Sequence, residues 1–262
     1  GLAFLLVGEN PASRSYVASK EKACAVCGFH SSTLQLPADA SQKEILARID
    51  NWNIDPDIHG ILVQLPLPDH VDENLVIEAI KPRKDVDGFH PVNVGKLVIG
   101  QDCYHPCTPA GIQELLLRSN VQTDGKHVVV VGRSNIVGKP IANILLQKAA
   151  GANAIVTVVH SAAPDISRYT LDADILIVAT GRVNTITAGM VREGVVIIDV
   201  GINRIDDATT AKGTRLVGDV DFQNVAPKCS AITPVPGGVG PMTIAMLMRN
   251  TLHSAKRSAG VR

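Results

Sequence analysis

The sequence predicts an α/β protein organised as two domains. Apolar strand-like runs alternate with helical ones along the chain, the rhythm of parallel sheets covered by helices. Hydrophobic residues make up 45% of the 262 residues but aromatics only 3%. The core must therefore be aliphatic, as in strands buried on both faces. The rhythm lapses over residues 81–107, a stretch rich in Gly, Pro and Asp, and then resumes. That lapse places a domain boundary near residues 105–120, between a first domain of residues 1–110 and a second of residues 111–240.

Each element has its own signal. Residues 2–7 read as a strand, and residues 12–27 as a helix closed by Gly28, a natural left-handed C′ residue. Residues 30–36 form the next strand. Ser41 and Glu44 stand at capping-box spacing and open a helix to about Trp52. Residues 60–64 are a strand, and residues 69–80 a helix that stops before Lys81-Pro82. Thr108-Pro109 begins another helix, a cap residue followed by proline at the first helical position. From Lys126 a second βαβ series carries strands at residues 127–131, 155–159, 174–178 and 195–199. Pro241 opens a last helix through about Lys256. This order implies parallel sheets with right-handed crossovers.

Composition excludes several classes. The 25 Lys and Arg balance 25 Asp and Glu, so the basic surface that nucleic acid needs is missing. No apolar run approaches the ~20 residues of a membrane-spanning helix. Five cysteines, Cys24, Cys27, Cys103, Cys107 and Cys229, are an odd number and read as buried or half-buried free thiols in a reducing compartment. Cys24-x-x-Cys27 has no second pair. Cys103-Tyr104-His105-Pro106-Cys107 has no second cluster to complete four ligands, so no metal is expected. The chain enters an apolar run directly at Gly1, without a basic leader, so no signal peptide is read and an upstream segment is expected.

Residues 128–140 combine a strand, a glycine turn and a helix start. Gly132 permits the tight turn, the helix N-terminus favours phosphate, and Gly138 permits close packing of helix on strand. The spacing is not G-x-G-x-x-G. It also fails as a P-loop, because five residues separate the glycines and Pro140 stands where a Ser or Thr would hold Mg²⁺. The following strand ends in His160-Ser161 rather than in the carboxylate that grips the ribose of NAD, while Arg133 and Ser134 can hold a 2′-phosphate. The expected cofactor is NADP. Small residues in Ala179-Thr180-Gly181 and Val200-Gly201-Ile202-Asn203 let backbone approach its nicotinamide and ribose.

The chemistry is expected elsewhere. Tyr16 and Lys20, spaced i, i+4 on the first helix, share a face, and a phenol beside an amine can relay a proton. The short-chain dehydrogenases also use Tyr-x-x-x-Lys, but after the nucleotide turn, not before it. Gln64 ends a buried strand and needs a partner, either Lys20 or a substrate. Asp85 and Asp87 precede Gly88; each is a turn residue or a grip on a ring bearing N–H donors. Residues 232–243 are rigid, rich in Pro and Gly, and present backbone groups to a ligand.

Tyr16 with Lys20, Val63-Gln64-Leu65-Pro66, Lys84-Asp85-Val86-Asp87-Gly88, Pro106-Cys107-Thr108-Pro109, Gly132-Arg133-Ser134 with Val137-Gly138, and Pro234-Val235-Pro236-Gly237-Gly238-Val239-Gly240-Pro241 occur in this order. Together they resemble the bifunctional methylenetetrahydrofolate dehydrogenase/methenyltetrahydrofolate cyclohydrolase family, from Gly1 to about Lys256. The resemblance implies two domains around a cleft, an α/β catalytic domain and a Rossmann-type NADP-binding domain. It implies that the C-terminal helix, residues 241–262, packs back on the first domain. It also implies a homodimer acting on tetrahydrofolate derivatives, and a helix and short strand upstream, together roughly thirty residues. The expected compartment is the cytoplasm, with an organellar form left open.

By position, the resemblance makes Lys20 the essential acid/base, with Gln64 bonded to it, Tyr16 orienting the folate and Asp87 holding the pterin. Val63, Leu65, Pro236, Gly237, Gly238 and Gly240 line the folate pocket. Gly132, Arg133, Ser134, Ser161, Ile202 and Thr243 contact NADP. Two other readings remain: a dehydrogenase without cyclohydrolase activity or with NAD preference, and a catalytically silent Rossmann binding module.

Overall fold

The computed structural model describes residues 1–210 and 213–261. The chain divides into two compact units, one of Gly1–Cys107 with Ile244–Arg262, the other of Thr108–Thr243. Arg262, the end of the expected C-terminal segment, lies outside the described residues.

The first unit runs β1 (Leu2–Val7), α1 (Pro11–Val26), β2 (Ser31–Leu36), α2 (Gln42–Ile54), β3 (Gly60–Val63), α3 (Glu73–Ala79) and α4 (Pro91–Val98). Its sheet has the order β2-β1-β3, all parallel. All six residues of the central strand β1 are buried, as a strand covered on both faces requires. Ile45 and Ile49 of α2 and Val76 of α3 pack with Ala3, Leu5, Ile61 and Val63 into one core. Ser41 caps α2 by accepting from Glu44 N at 3.2 Å.

Two expectations need correction here. The helix expected over residues 69–80 is shorter, because the Asp72 carboxylate accepts from Asn74 N and Leu75 N and so caps α3 at that point. Residues 81–107 are not wholly irregular. They contain α4, with Pro91 in its first turn and the His90 ring accepting from Val92 N at 3.0 Å.

The chain continues with α5 (Cys107–Arg118), β4 (His127–Val131), α6 (Gly138–Leu146), β5 (Ile155–Val159), α7 (Ser167–Thr170), β6 (Ile175–Val178) and β7 (Val195–Asp199). It ends with β8 (Asn203–Asp206), β9 (Thr214–Val217), α8 (Phe222–Val225), β10 (Cys229–Ile232) and α9 (Val239–Ser258). Helix α5 begins one residue before the expected Thr108. Pro109 then falls within the first turn, where a missing N–H costs nothing.

The second unit holds a five-stranded parallel sheet of order β10-β7-β6-β4-β5. Strand β4 lies between β6 and β5, with Val128 to Val131 buried, and α5 and α6 supply Ile112, Leu116, Ile141 and Leu145 to its core. The antiparallel β8-β9 hairpin and the strand β10 carry weak patterns and were not among the expected elements.

Helix α9 is bound into the first unit from residue 244 onward. Asn250 Nδ2 donates to Val86 O at 2.9 Å and His105 O at 3.0 Å. Ser254 Oγ lies 2.6 Å from His59 O and 2.9 Å from Arg83 O. Among the described residues, no helix is long and apolar enough to cross a membrane.

Candidate active site

The first unit brings Lys20, Gln64 and Asp87 together. Lys20, on α1, is only 8% exposed, and its Nζ donates to Gln64 Oε1 at 3.1 Å. Gln64 follows β3, where its N–H still continues the sheet to Leu5 O at 2.8 Å. Its Nε2 donates to Leu65 O at 2.8 Å, which fixes the amide with oxygen toward Lys20. The Leu65–Pro66 peptide is cis, and Val63 is buried while Leu65 is half-buried. Tyr16 lies one turn before Lys20 and is 40% exposed, so its ring is open to a ligand. Partial burial raises its phenol above the ordinary tyrosine range.

The two acids of the Lys84–Gly88 turn separate into different roles. Asp85 is buried and accepts from Gly88 N, Phe89 N, His90 N and Asn93 Nδ2, the last at 2.7 Å. It holds the turn together. Asp87 has no such set of backbone donors among the described bonds. Its enclosed carboxyl faces the Lys20 charge and a hydrogen bond from the Cys107 thiol. Burial pushes the Asp87 carboxyl up; Asp85 adds to the rise, and Lys20 and the thiol oppose it. Burial and neighbouring Asp87 push the Cys107 thiol well above its usual range.

Sequence reasoning missed two parts of this cluster. Cys107, expected as a buried or half-buried free thiol, is buried, and the sequence did not show that its Sγ lies 3.4 Å from Val86 O and is hydrogen-bonded with the Asp87 side chain. Asn250 drew no attention, although it donates to Val86 O and His105 O, the neighbours of Asp87 and Pro106. The available signal was a buried amide on the face of α9 that also carries Met246, Leu247, Thr251 and Ser254. A second correction concerns Cys27, which is exposed and not buried or half-buried as expected; Cys24 and Cys107 are buried, and Cys103 and Cys229 half-buried.

The other expected residues lie in the second unit. Gly132 follows β4 with φ +127°, and a Cβ there would overlap Ala179 O. Only glycine fits. Ser134 is exposed, and its Oγ accepts from Val137 N at 3.1 Å and Gly138 N at 3.3 Å, tying the turn to the start of α6. Arg133 and Ser161 are exposed, and Ile202, after β7, is 46% exposed. The Thr243 hydroxyl lies 2.9 Å from Thr108 Oγ1 and 3.4 Å from Val239 O. In the loop before α9, Pro236 follows a cis peptide, Gly237 has φ +105°, Gly238 is buried and Gly240 is half-buried.

Comparison with known proteins decides the family. The tetrahydrofolate dehydrogenase/cyclohydrolase catalytic-domain model matches residues 1–87, and the NAD(P)-binding-domain model of the same family matches residues 106–259. The chain belongs to the tetrahydrofolate dehydrogenase/cyclohydrolase family. It is 60% identical over 261 residues to the bifunctional protein FolD of Syntrophus aciditrophicus, covering 100% of this chain and 89% of that protein. A crystal structure of the FolD dehydrogenase/cyclohydrolase of Campylobacter jejuni superposes with a TM-score of 0.91 at 52% identity, covering 98% of this chain and 88% of that one. The Trypanosoma brucei FolD structure, complexed with NADP cofactor and inhibitor, gives a TM-score of 0.93 at 41% identity, covering 99% and 87%. The tetrahydrofolate dehydrogenase/cyclohydrolase chain is thus an α/β enzyme with one catalytic and one NAD(P)-binding domain, as the ordered motifs implied.

Proposed function

We infer that this chain oxidises 5,10-methylenetetrahydrofolate with NADP⁺ and hydrolyses the methenyl product to 10-formyltetrahydrofolate, with Lys20 as acid/base. The observation that carries this reading is the buried Lys20 Nζ, held by Gln64 Oε1 beside the Asp87 carboxyl, in a chain of this family. NADP⁺, when bound, accepts the hydride that leaves the one-carbon bridge. The product carbon is then cationic and open to water.

Lys20 Nζ takes a proton from the adding water and returns one to the departing pterin-side nitrogen as the carbon–nitrogen bond breaks. One water is consumed, and one proton is released overall. Proton transfer by a positioned group of this kind is worth about 10²–10⁴-fold in rate. Gln64 fixes the direction of one Lys20 N–H. Asp87 offers its carboxyl to the N–H donors of the pterin, and Tyr16, Val63 and Leu65 form the ring's apolar surroundings. Residues 236–240 complete the folate pocket in this reading.

The second unit fits the phosphates of NADP. Gly132 admits close backbone approach, the N-terminus of α6 favours an anion, and Ser134 is exposed. Exposed Arg133 with Ser161, and no carboxylate at the end of β5, suit a 2′-phosphate. Ile202 and Thr243 belong to the same proposed site. The domain division proposed is residues 1–110 with 241–262, and residues 111–240. Two copies would cover the exposed Ile155 and Val158 on edge strand β5, which supports a homodimer. The unpaired cysteines suit the reducing cytoplasm.

The test is turnover of 5,10-methylenetetrahydrofolate with NADP⁺ and with NAD⁺, and separate decay of added methenyltetrahydrofolate, on wild type and Lys20→Met. NADP⁺-dependent reduction with methenyl decay lost in Lys20→Met supports the reading. Reduction without methenyl decay in the wild type leaves a monofunctional dehydrogenase, and no turnover in folded protein overturns the assignment. Light scattering decides the dimer.

A further inference from the structure

We propose that Asp219 is a positioning residue for the dehydrogenase reaction, clamping the two loops that receive the nicotinamide half of the cofactor. The inference rests on the reading of the second unit as the NADP site. Strand order supplies the geometry. Strand β4, with the phosphate turn, lies between β5 on one side and β6 then β7 on the other. A dinucleotide lying across the strand ends puts its pyrophosphate at β4 and its 2′-phosphate toward β5. Its nicotinamide half must then extend over the loops after β6 and β7, residues 179–181 and 200–203.

Those two loops meet at one carboxylate. Asp219 is fully buried. Its Oδ2 accepts from Thr180 N at 2.6 Å, Gly181 N at 2.9 Å and Thr180 Oγ1 at 2.9 Å, all in the loop after β6. Its Oδ1 accepts from Asn203 Nδ2 at 2.8 Å, at the end of the loop after β7. Gly201 passes so close that a Cβ there would overlap Asp219 Oδ1.

A second buried carboxylate fixes the first. Asp199, the last residue of β7, accepts from Gly201 N at 3.0 Å, Asp219 N at 2.9 Å and Val220 N at 3.0 Å. The clamp is thereby anchored to the sheet. Every partner of the Asp219 side chain is a donor, so the position calls for an acceptor on each oxygen. Asp219 is bonded to both loops and so sets the distance between them.

The test separates the two halves of the cofactor. Binding of NADP⁺ and of 2′,5′-ADP, which lacks the nicotinamide half, is measured by calorimetry on wild type, Asp219→Asn, Thr180→Val and the double variant Asp219→Asn/Asn203→Asp. Asp219→Asn places an amide N–H₂ against a donor, whereas the double variant restores an acceptor opposite it but gives up the bond from Asn203 Nδ2 to Gly218 O at 3.2 Å.

Expected results are NADP⁺ weakened about tenfold or more in Asp219→Asn and several-fold in Thr180→Val. The double variant regains part of the loss, and 2′,5′-ADP stays within about twofold throughout. Parallel weakening of both ligands in Asp219→Asn and Thr180→Val overturns the proposal, since Asp219 then only holds the fold. Unchanged NADP⁺ binding in both overturns it too. A folded wild type that binds neither ligand defeats the cofactor reading itself, and the clamp with it.

Discussion

Lys20 and Gln64, 44 residues apart in sequence, meet through an Nζ to Oε1 hydrogen bond of 3.1 Å. The amide cannot turn away without losing the bond from its Nε2 to Leu65 O. A buried amine and a fixed acceptor therefore share one side of the proposed folate site. Gln64→Ala removes the acceptor and frees Lys20 to swing. The expected outcome is a fall of about tenfold or more in methenyl hydrolysis, as for loss of a well-aligned contact to a reacting group, with less effect on NADP⁺ affinity. Stopped-flow absorbance on the methenyl substrate, beside cofactor titration, checks it; equal loss of both would contradict a local role.

The Asp87 carboxyl gives a pH signature. Its folded-state value is raised by burial, above that of the unfolded chain, where Asp titrates near ~3.9. Between those two values the folded protein holds the extra proton, so this group favours the fold at low pH and loses that contribution as pH rises through the folded value. Asp87→Asn lacks the titration. Relative to wild type, the variant should therefore gain stability as pH is raised from about 4 toward 7. Denaturant unfolding of both proteins across that range measures the difference. A difference that is flat, or that runs the other way, would show that Lys20 and Cys107 outweigh burial.

Cofactor choice is predicted to reside in Arg133. The guanidinium is exposed in the turn after β4, and no acid stands at the end of β5. Arg133→Ala should lower kcat/KM with NADP⁺ by about tenfold or more while changing it with NAD⁺ much less, because only the 2′-phosphate needs the charged fork. Steady-state rates with both cofactors give the ratio. Equal losses would mean that Arg133 serves the turn rather than the phosphate.

How far these features were legible in the sequence depends on the distance over which each is decided. Strands β1, β4 and β7 are continuous apolar runs, and burial on both faces makes such runs readable. Helix α4 was hidden by Gly95 and by a Pro-rich context, although His90-Pro91 is a good start signal. Gln64 was identifiable because a lone amide at the end of an apolar strand must find a partner. Asp85 and Asp87 could not be told apart from their spacing. The turn decides it, giving Asp85 four donors and facing Asp87 toward Lys20. Asn250 and Asp219 act on residues far away in sequence or in other loops, so no local pattern announces them.

The cysteines offer a test of the first unit's packing that needs no substrate. Cys24 is buried on α1 against Met248 of α9, their sulfurs 3.9 Å apart, and burial pushes its thiol up to about 11. At pH 8 such a group is about one part in a thousand thiolate, against roughly a quarter for an ordinary thiol, and the thiolate is the species that reacts. Cys107 is buried and raised as well, whereas Cys27 is exposed at the end of the same helix. Iodoacetamide at pH 8 should therefore modify Cys27 first and leave Cys24 and Cys107 intact until denaturant is added, with peptide mass spectrometry reading each site. Asn250→Ala, which removes the bonds from α9 to Val86 O and His105 O, should speed labelling of Cys107 more than that of Cys24. Early modification of Cys24 in the native protein would mean that α9 does not stay closed over α1, and the enclosed setting of Asp87 would then have to be reconsidered.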